Sequence, residues 1–501
     1  MLVPMFVPTS LVVLSECRLE NMTSPISHNP VLGQKLSRRQ KQSALGALVG
    51  AAVGDALGAP FEFKPAGSYS NKFPDAVVGG SGEMTGGGSL NWAPGEFTDD
   101  TQMALALAES LIACGLTFKP EHVWMYFRSW AERATDIGIT TQASLRGSDY
   151  KTAAREAHDR LKQSGGNGSV MRISPIGIAG VGWGHAKTVE VARQQSGLTH
   201  FDEGAGWGAA IVAELIRRLI ICGSFEDSMN GILDFVPSPH HETYKELLAE
   251  SWAPSQNKTL SNGTVWICIA QAVWAVRSTT SFESALVSAI DLGDDADTVG
   301  AVTGALAGAL YGIQQIPSRW TTYVNGRLTF PNGETRTYRG ADLQDIARQL
   351  VGLQVRPETP VETPIEPKLI HELGIYAANV NGAESASDSV AVVSLCRTED
   401  RFINHVNRRE TFMIDKVGQN PFLFSAVDDA VNSIEAFLND GQEVLVHCHG
   451  GRSRTGLVLK AWYMRRFQKS SAEADSWLTK IWPHYASSNQ DFTDFLEVQW
   501  H

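Results

Sequence analysis

ALGALVGAAVGDALG, residues 44–58, places glycine at every fourth position, and GDDADTVGAVTGALAGALYG, residues 293–312, repeats the pattern from Gly300 to Gly312. On an α-helix, residues i and i+4 lie on one face. Each stretch therefore predicts a helix with a groove free of side chains, where another backbone can approach closely. Glycine in a helix costs up to ~1 kcal/mol relative to alanine, so we expect tight core packing to compensate.

The remaining N-terminal region is also predicted to be helical, and a proline-rich segment separates it from the C-terminal region. This segment is RPETPVETPIEP, residues 356–367, whose prolines favour an extended, semi-rigid chain. We therefore divide the 501 residues into a leader (1–40), a helical body (41–350), a linker (351–368) and a C-terminal domain (369–501). The leader is expected to be disordered, and Met22 is an alternative to Met1 as the start.

Composition and charge exclude several classes of protein. Hydrophobic residues make up 43% and charged residues 19% of the chain, as in folded globular domains. The net charge of −12 disfavours general binding to nucleic acid. The most apolar stretch, residues 44–61, contains Asp55 and several glycines, so no membrane-spanning segment is expected. Six cysteines without a C-x-x-C pair indicate a reducing compartment, and we expect the cytoplasm.

Two acidic clusters precede predicted helices, namely Phe97-Thr-Asp-Asp-Thr101 and Gly293-Asp-Asp-Ala-Asp-Thr298. Asp and Thr are common helix N-caps, but one cap needs only one such residue. If the fold brought the clusters together, they would repel each other unless a cation lay between them. Their oxygen atoms favour Mg²⁺, Mn²⁺ or Ca²⁺ over zinc.

Two weaker signals lie between these clusters. The glycine-rich turn GNGSVMR, residues 166–172, has backbone N–H groups that could hold a phosphate, although such turns are more often plain loops. His200 precedes a predicted helix, a position where a lone histidine usually has a structural role.

Taken in order, the motifs of the body resemble the ADP-ribosylglycohydrolase family. They are GDALGAPFEF (54–63), FTDDT (97–101), GNGS with Met171 and Arg172 (166–172), Thr199-His200, and GDDADT (293–298). The resemblance implies an all-α body that binds two Mg²⁺, with Mn²⁺ as the alternative. The implied reaction is hydrolysis of the bond between ribose C1″ of ADP-ribose and an acceptor atom.

The resemblance also implies roles for individual residues of this sequence. The implied metal ligands are Thr98, Asp99, Asp100, Asp295, Asp297 and Thr298. The implied catalytic residues are Asp100, Asp297 and Glu62, the last on a mobile acidic flap. The implied contacts to ADP-ribose are Asn167, Gly168, Ser169, Met171 and His200. The acceptor stays open, because arginine, serine and other linkages are all handled within the family.

Short β-branched runs alternate with helical patterns in the C-terminal domain. Residues 389–395 and 443–447 are predicted strands, and residues 426–438 and 455–466 are predicted helices. Strands that alternate with helices form a sheet covered by helices. The domain is therefore predicted to be α/β, with a mainly parallel sheet.

The second predicted strand leads into HCHGGRSRTG, residues 447–456, a Cys-x5-Arg loop that opens a helix. A buried structural cysteine is the alternative interpretation. The loop curls its amides inward, which makes an anion site and favours the thiolate of Cys448 as a nucleophile. Arg454 can grip a phosphate with two hydrogen bonds, and Thr455 can hydrogen-bond the sulfur as it leaves. The other loop residues expected to bind phosphate are Gly450, Gly451, Arg452 and Ser453.

The C-terminal domain resembles the dual-specificity branch of the protein tyrosine phosphatases. Such enzymes need a general acid to protonate the leaving oxygen, and Asp415 lies 33 residues (448 − 415) before Cys448, as the resemblance implies. Asp428 and Asp429 are rivals, but their helical pattern predicts that they are solvated. Some relatives form a protective disulfide, so we hypothesise a Cys396–Cys448 pair, which non-reducing peptide mapping after peroxide treatment would reveal.

The combined prediction is a bifunctional hydrolase. One site would remove ADP-ribose from a protein side chain or nucleic-acid acceptor, and the other would remove phosphate from a phosphorylated protein or a small phosphate ester. Two alternatives stay open. The body could be an ADP-ribose-binding module that targets a phosphatase, or both sites could act in turn on one phosphorylated ADP-ribose derivative, since a tether raises the local concentration.

Overall fold

A computed structural model describes residues 36–256, 261–355, 362–486 and 488–500. Most of the predicted leader and residues 356–361 of the predicted linker lie outside these ranges. The helices of the body are α1 (Arg38–Gly58), α2 (Ser68–Lys72), α3 (Asp99–Ala113), α4 (Pro120–Ala131), α5 (Ile139–Leu145), α6 (Ala153–Leu161), α7 (Ser174–Trp183), α8 (His185–Ser196), α9 (Glu203–Cys222), α10 (Phe225–Met229), α11 (His240–Leu247), α12 (Val265–Arg277), α13 (Phe282–Ile290), α14 (Ala296–Tyr311), α15 (Ser318–Thr321) and α16 (Gly340–Leu350). The prediction of a helical body is confirmed.

One element departs from the all-α prediction. Strands β1 (Asn325–Thr329) and β2 (Thr335–Arg339) form an antiparallel hairpin in the body. Its turn contains Pro331-Asn-Gly333, with Gly333 at φ +84°. Asn-Gly between β-prone residues is a strong hairpin signal, so the sequence did contain the information for this correction.

The two glycine-patterned helices pack against each other in antiparallel fashion. A Cβ atom added to Gly304 would lie 2.0 Å from the carbonyl oxygen of Gly50, and one added to Gly308 would lie 2.0 Å from that of Gly46. Gly54 and Gly300 make the third such pair, with distances of 2.0 and 2.5 Å in the two directions. The backbones are therefore in direct contact, and the carboxyl end of α1 lies beside the amino end of α14.

Helix α1 is also apolar enough to raise the question of a membrane. Together with the 3₁₀ turn Ala59–Phe61 it has the length and hydropathy of a membrane-spanning helix, but the apolar window is 100% buried within the fold. No other helix in the described ranges meets the same test.

The C-terminal domain contains a five-stranded sheet with helices around it. Its elements are β3 (Lys368–His371), β4 (Ile375–Asn379), α17 (Val380–Ala383), β5 (Ala391–Ser394), β6 (Arg408–Glu410), α18 (Leu423–Asn439), β7 (Val444–Cys448), α19 (Ser453–Phe467), α20 (Ser471–Ile481) and α21 (Gln490–Val498). The strand order is β3-β4-β7-β5-β6, and only β3 is antiparallel. The prediction of a mainly parallel sheet is confirmed.

The described end of the predicted linker is bound to this domain. The Asn379 side chain accepts a hydrogen bond from Ile365 N at 2.9 Å and donates one to Thr363 O at 2.8 Å. Residues 363–365 are thus fixed to the end of β4. The sequence predicted that these residues belong to an extended linker.

Buried polar contacts join the two domains. Arg409 of β6 is 1% exposed and donates to the carbonyl oxygens of Val78 and Gly80 in the body. Asp429 accepts a hydrogen bond from Ser318 N at 3.1 Å, so the expectation that Asp429 is solvated was wrong. Its burial raises its pKa. Asp428, its neighbour on α18, forms an ion pair with Arg465.

The glycine contact between α1 and α14 predicts the effect of a single methyl group. Gly304→Ala should lower the free energy of unfolding by about 1–3 kcal/mol, because the added Cβ overlaps the backbone of α1 and overpacking costs about this much. Gly182→Ala is the matched control, since a Cβ there meets nothing within 4 Å, and it should be neutral or stabilising by up to ~1 kcal/mol. Denaturant unfolding measures both, and equal effects of the two variants would contradict the packing argument.

Candidate active sites

The acidic clusters of the body meet where α1, α3 and α14 come together. Thr98 is the N-cap of α3, with its side chain accepting from Asp100 N, and Asp295 is the N-cap of α14. Asp99, Asp100 and Asp297 occupy the first turns of their helices. Thr298 Oγ1 donates to Asp100 Oδ1 at 3.3 Å, which joins the two clusters directly. The structure thus brings all six predicted metal-ligand residues into two adjoining helix starts.

Asp55 of α1 fixes the start of α3. Its fully buried carboxylate accepts hydrogen bonds from Thr98 N at 2.9 Å, Thr101 N at 3.0 Å and Thr101 Oγ1 at 2.6 Å. Burial outweighs these hydrogen bonds and raises the pKa of Asp55 to about 6. Asp55 lies in the first sequence motif, but its role as an anchor was not predicted.

One acidic residue of the site was missed by the sequence analysis. Carboxylate oxygens of Glu62, Asp136 and Asp297 lie within 4.8 Å of one another. Asp136 is half-buried and precedes α5, in a segment that carried no recognisable motif. Glu62, at the end of the turn that follows α1, is also partly exposed and faces the same space.

The electrostatics of these groups fit a bound cation. Burial, followed by repulsion from neighbouring carboxylates, raises the pKa values of Asp99, Asp100 and Asp297 well above the ordinary range and that of Glu62 to about 8. Asp100 Oδ2 is buried and has no hydrogen-bond partner within the described ranges. The donor set consists of carboxylate and hydroxyl oxygens, which suit Mg²⁺ or Mn²⁺.

The glycine-rich turn borders the same site. Asn167 Nδ2 donates to Asp295 Oδ2 at 2.8 Å and to Asn262 O at 3.1 Å. Asn262, a second residue that the sequence analysis missed, also accepts from Asp295 N at 3.0 Å. Ser169 and Met171 are buried, and the Ser169 hydroxyl accepts from Ser196 at 2.9 Å, so their contacts to ADP-ribose stay a prediction.

His200 lies against the turn. A Cβ on Gly168 would lie 3.0 Å from His200 Cε1, so glycine leaves room for the ring. Burial and the charge of Arg172 lower the pKa of His200 to about 3, which keeps the ring neutral. Its Nδ1 is 2.8 Å from Thr199 Oγ1, which accepts from Arg172 Nη2 at 2.8 Å. His200 is therefore held as a neutral hydrogen-bonding group.

The second site lies at the carboxyl end of the central strand β7. Cys448 is paired in register with Asn379 of β4, is 2% exposed and ends β7 just before the loop into α19. Gly451 has φ +64°, and a Cβ there would lie 2.7 Å from Ala378 O, so only glycine suits this position. Trp482 Nε1 donates to Gly451 O at 2.8 Å and fixes the loop from outside.

Several polar groups of this loop are available to bind an anion. Arg454 Nη1 donates to Leu395 O at 2.8 Å and to Met413 O at 3.3 Å, whereas its buried Nε has no partner within the described ranges. The buried hydroxyl oxygens of Ser453 and Thr455 also lack partners there. Arg452 is exposed and Gly450 is half-buried.

The predicted general acid lies on a separate loop between β6 and α18. Asp415 is exposed and accepts from Asn489 Nδ2 at 3.3 Å. The carbonyl of Met413, two residues earlier, is the one that Arg454 contacts. The loop of Asp415 and the Cys448 loop are thus linked through Arg454.

Cys396 follows β5, which is the neighbour of β7 in the sheet. Ser394 is the register partner of His447, and Leu395 N donates to His447 O at 2.8 Å, so Cys396 lies two residues after the partner of His447, whereas Cys448 directly follows His447. Burial raises the pKa of Cys396, against the opposing effect of Arg454. Both cysteines are free thiols here, and the disulfide stays a hypothesis.

Comparison with known families places each domain in a family of hydrolytic enzymes. The family model named ADP-ribosylglycohydrolase matches residues 36–359, and the model of the dual specificity phosphatase catalytic domain matches residues 388–498. The chain therefore combines domains of two hydrolytic enzyme families. By the match over most of its length, it belongs to the ADP-ribosylglycohydrolase family.

Individual relatives agree with this assignment. ADP-ribosylarginine hydrolase Tri1 of Serratia proteamaculans is 33% identical over 290 residues, which is 55% of this chain and 74% of the relative. ADP-ribosyl-(dinitrogen reductase) glycohydrolase of Rhodospirillum rubrum is 32% identical over 57% of this chain and 91% of its own length. A solved structure described as an ADP-ribosylglycohydrolase-related protein complex matches with a TM-score of 0.50 and 29% identity, over 63% of this chain and 99% of that one.

The clustered carboxylates predict that the stability of the body depends on both bound metal and pH. Because the raised pKa values make the metal-free folded state bind more protons than the unfolded state, its stability should fall as the pH rises from about 4.5 to about 8. Bound Mg²⁺ removes this loss. At about 100 times its Kd it should add about 2.7 kcal/mol. At one fixed Mg²⁺ concentration the increase in Tm should be larger at pH 8 than at pH 6, because protons compete with the metal for the carboxylates at pH 6.

Thermal unfolding with and without Mg²⁺ measures this effect. Asp100→Asn should abolish the increase, whereas Glu190→Gln, which removes one charge from an exposed ion pair with Lys187, should keep it. An increase in Tm that survives in Asp100→Asn, or that is equal at both pH values, would contradict the assignment.

Proposed function

We propose that the chain is a cytoplasmic hydrolase with two active sites, and that the body removes ADP-ribose from modified arginine side chains with the aid of two Mg²⁺. The observation that carries the proposal for the body is the meeting of the Thr98–Asp100 and Asp295–Thr298 clusters, with a buried oxygen on Asp100 that has no partner among the described residues. A purely structural pair of helix caps would not need this many carboxylates.

The residues that would hold the metal are those at the two helix starts: Thr98, Asp99, Asp100, Asp295, Asp297 and Thr298. When bound, Mg²⁺ would orient the ribose hydroxyls and acidify a water molecule. Asp55 and Asn167 act as supports, since each hydrogen-bonds to residues of this set.

Other residues would handle the sugar and the acceptor. Neutral His200 and the backbone of Gly168 form a wall that suits hydrogen bonds to ADP-ribose. Glu62 and Asp136 lie on the more exposed side of the cluster. A carboxylate there can accept the proton of the attacking water or bind a cationic leaving group.

Arginine is the acceptor that the comparisons support. Two relatives at 31% and 33% identity are named ADP-ribosylarginine hydrolase. A guanidinium group is also the acceptor best suited to the partly exposed pair Glu62 and Asp136, because carboxylates bind it through two parallel hydrogen bonds.

Release of ADP-ribose from a substrate panel tests this proposal. With Mg²⁺, the purified chain should release ADP-ribose from a mono-ADP-ribosylated arginine substrate at least tenfold faster than from serine-linked or nucleic-acid-linked substrates. A chelator should abolish the release, and Asp136→Asn should lower kcat by about 10²-fold, the lower range for loss of a general base. No release from any member would favour an ADP-ribose-binding module instead, and release from serine alone would overturn the choice of arginine.

The C-terminal domain is proposed to hydrolyse phosphate monoesters of a protein or a small molecule. The Cys448 sulfur would attack phosphorus and form a phosphocysteine, while the ester oxygen leaves with a proton from Asp415. The Nε edge of Arg454 and the loop amides would hold the phosphoryl oxygens. Thr455 Oγ1 can hydrogen-bond the sulfur when water releases the phosphate.

The two reactions should be separable by mutation. Cys448→Ser should abolish turnover of an aryl phosphate and leave the rate of ADP-ribose release unchanged, because the serine hydroxyl is a far weaker nucleophile than a thiolate. Asp100→Asn should have the reverse effect. If either variant removed both activities while its unfolding curve stayed that of the wild type, the two sites would not be independent.

A further inference from the structure

We infer that Gln314, a residue of the ADP-ribosylglycohydrolase domain, positions the general-acid loop of the phosphatase domain across the domain boundary. The inference rests on the phosphatase function proposed above. It goes further by assigning a positioning role for this reaction to a residue outside the phosphatase domain.

Gln314 closes the base of the loop that carries Asp415. This loop runs from Phe412 to Phe422. Gln314 Nε2 donates to Phe412 O at 3.2 Å, and Gln314 Oε1 accepts from Phe422 N at 3.2 Å. One amide thus bonds to both ends of the loop, and it is 4% exposed.

Hydrogen bonds continue from Gln314 toward the acid. Gln314 Nε2 also donates to Asn420 Oδ1 at 3.0 Å. The Asn420 amide in turn accepts from Ile414 N at 2.9 Å and donates to Ile414 O at 2.7 Å. Ile414 is the residue directly before Asp415, so a chain of two side-chain amides links the body to the backbone of the acid.

The position of Gln314 is set by the packed helices of the body. It lies in the 3₁₀ turn Ile313–Gln315, directly after Gly312, the C-cap of α14, which has φ +79°. A Cβ on Gly312 would lie 3.0 Å from the Phe422 ring, so the domains are in close contact here. Gln42 of α1 makes a second, longer contact to the loop, with Nε2 3.5 Å from Gln419 O.

Other contacts hold the part of the loop between its two ends. Asp415, Lys416 and Val417 are exposed at its tip. From the phosphatase side, Arg454 contacts Met413 O, Asn489 contacts the carboxylate of Asp415 itself, and Asp491 accepts a hydrogen bond from Gly418 N. Loss of the Gln314 amide would leave the carbonyl of Phe412 and the N–H of Phe422 without this partner, and the acid would lose its fixed distance to the leaving oxygen.

The dependence on the leaving group distinguishes a misplaced acid from general damage. Phenyl phosphate has a leaving group with a pKa of about 10 and needs the proton, whereas a fluorinated coumarin phosphate leaves readily without it. Because kcat/KM covers the steps up to cleavage of the ester, Gln314→Met should lower kcat/KM for phenyl phosphate about tenfold relative to that for the coumarin phosphate. Gln314→Asn, one methylene shorter, should give a partial effect of the same kind.

Two further variants complete the test. Tyr323→Phe removes a hydroxyl that crosses the same domain boundary to Val406 O at 2.6 Å but does not contact the loop, and it should leave the ratio of the two substrates unchanged. Asp415→Asn should give a larger selective loss. The double variant with Gln314→Met should lose no more than Asp415→Asn alone, since both act through one proton transfer.

The outcomes separate the two proposals. The wild type is measured first. Hydrolysis of the aryl phosphates that is lost in Cys448→Ser would establish the phosphatase activity, whereas no hydrolysis by the wild type would overturn both the phosphatase proposal and this inference. If the wild type is active, three results would overturn the role of Gln314 alone. The first is an equal loss of kcat/KM on both substrates in Gln314→Met and Gln314→Asn, and the second is no loss in either variant. The third is a loss in the double variant that exceeds the loss in Asp415→Asn.

Discussion

The direct contact between the backbones of α1 and α14 is the constraint on which the body depends. Three glycine pairs allow carbonyl oxygens to occupy the space where side chains would otherwise stand. This contact sets the register of the two helices, and the register puts Asp55 and the turn before Glu62 beside the start of α14. Glu62 and Asp297, whose carboxylates meet in the site, lie 235 residues apart in the sequence (297 − 62), so without this contact there would be no common site.

The same contact brings several buried carboxylates close together. Burial, and then repulsion from neighbouring carboxylates, raises the pKa values of Asp100 and Asp297, whereas hydrogen bonds from Asn167 and Thr298 act in the opposite direction on Asp295. A divalent cation would offset the remaining repulsion. Stability and chemistry therefore depend on the same groups.

Much of the fold and of the two candidate sites could be predicted from the sequence. The metal-ligand motifs, the glycine repeat and the Cys448 loop are local patterns, in which spacing along the chain determines the geometry. Asp136 and Asn262 could not be found in this way, because each is a lone polar residue whose partners come from distant elements. The glycine repeat predicted a close backbone approach but not its partner. The contacts of Asp429 and Gln314 across the domain boundary have no local signature at all, and a helical pattern even suggested that Asp429 was solvated.

Helix α14 connects the acidic site of the body to the phosphatase domain. Its first turn carries Asp297 and Thr298 of the ADP-ribosylglycohydrolase site, its middle packs on α1 through glycine, and the turn after its last residue places Gln314 against the phosphatase loop. A helix packed backbone to backbone is difficult to bend or shift, since each glycine contact would have to open. The two domains are thus joined by more than the proline-rich segment. The interface of Arg409, Asp429 and Gln314 is buried and polar, which fixes the relative orientation of the domains more specifically than an apolar surface would, because every donor must find its own acceptor.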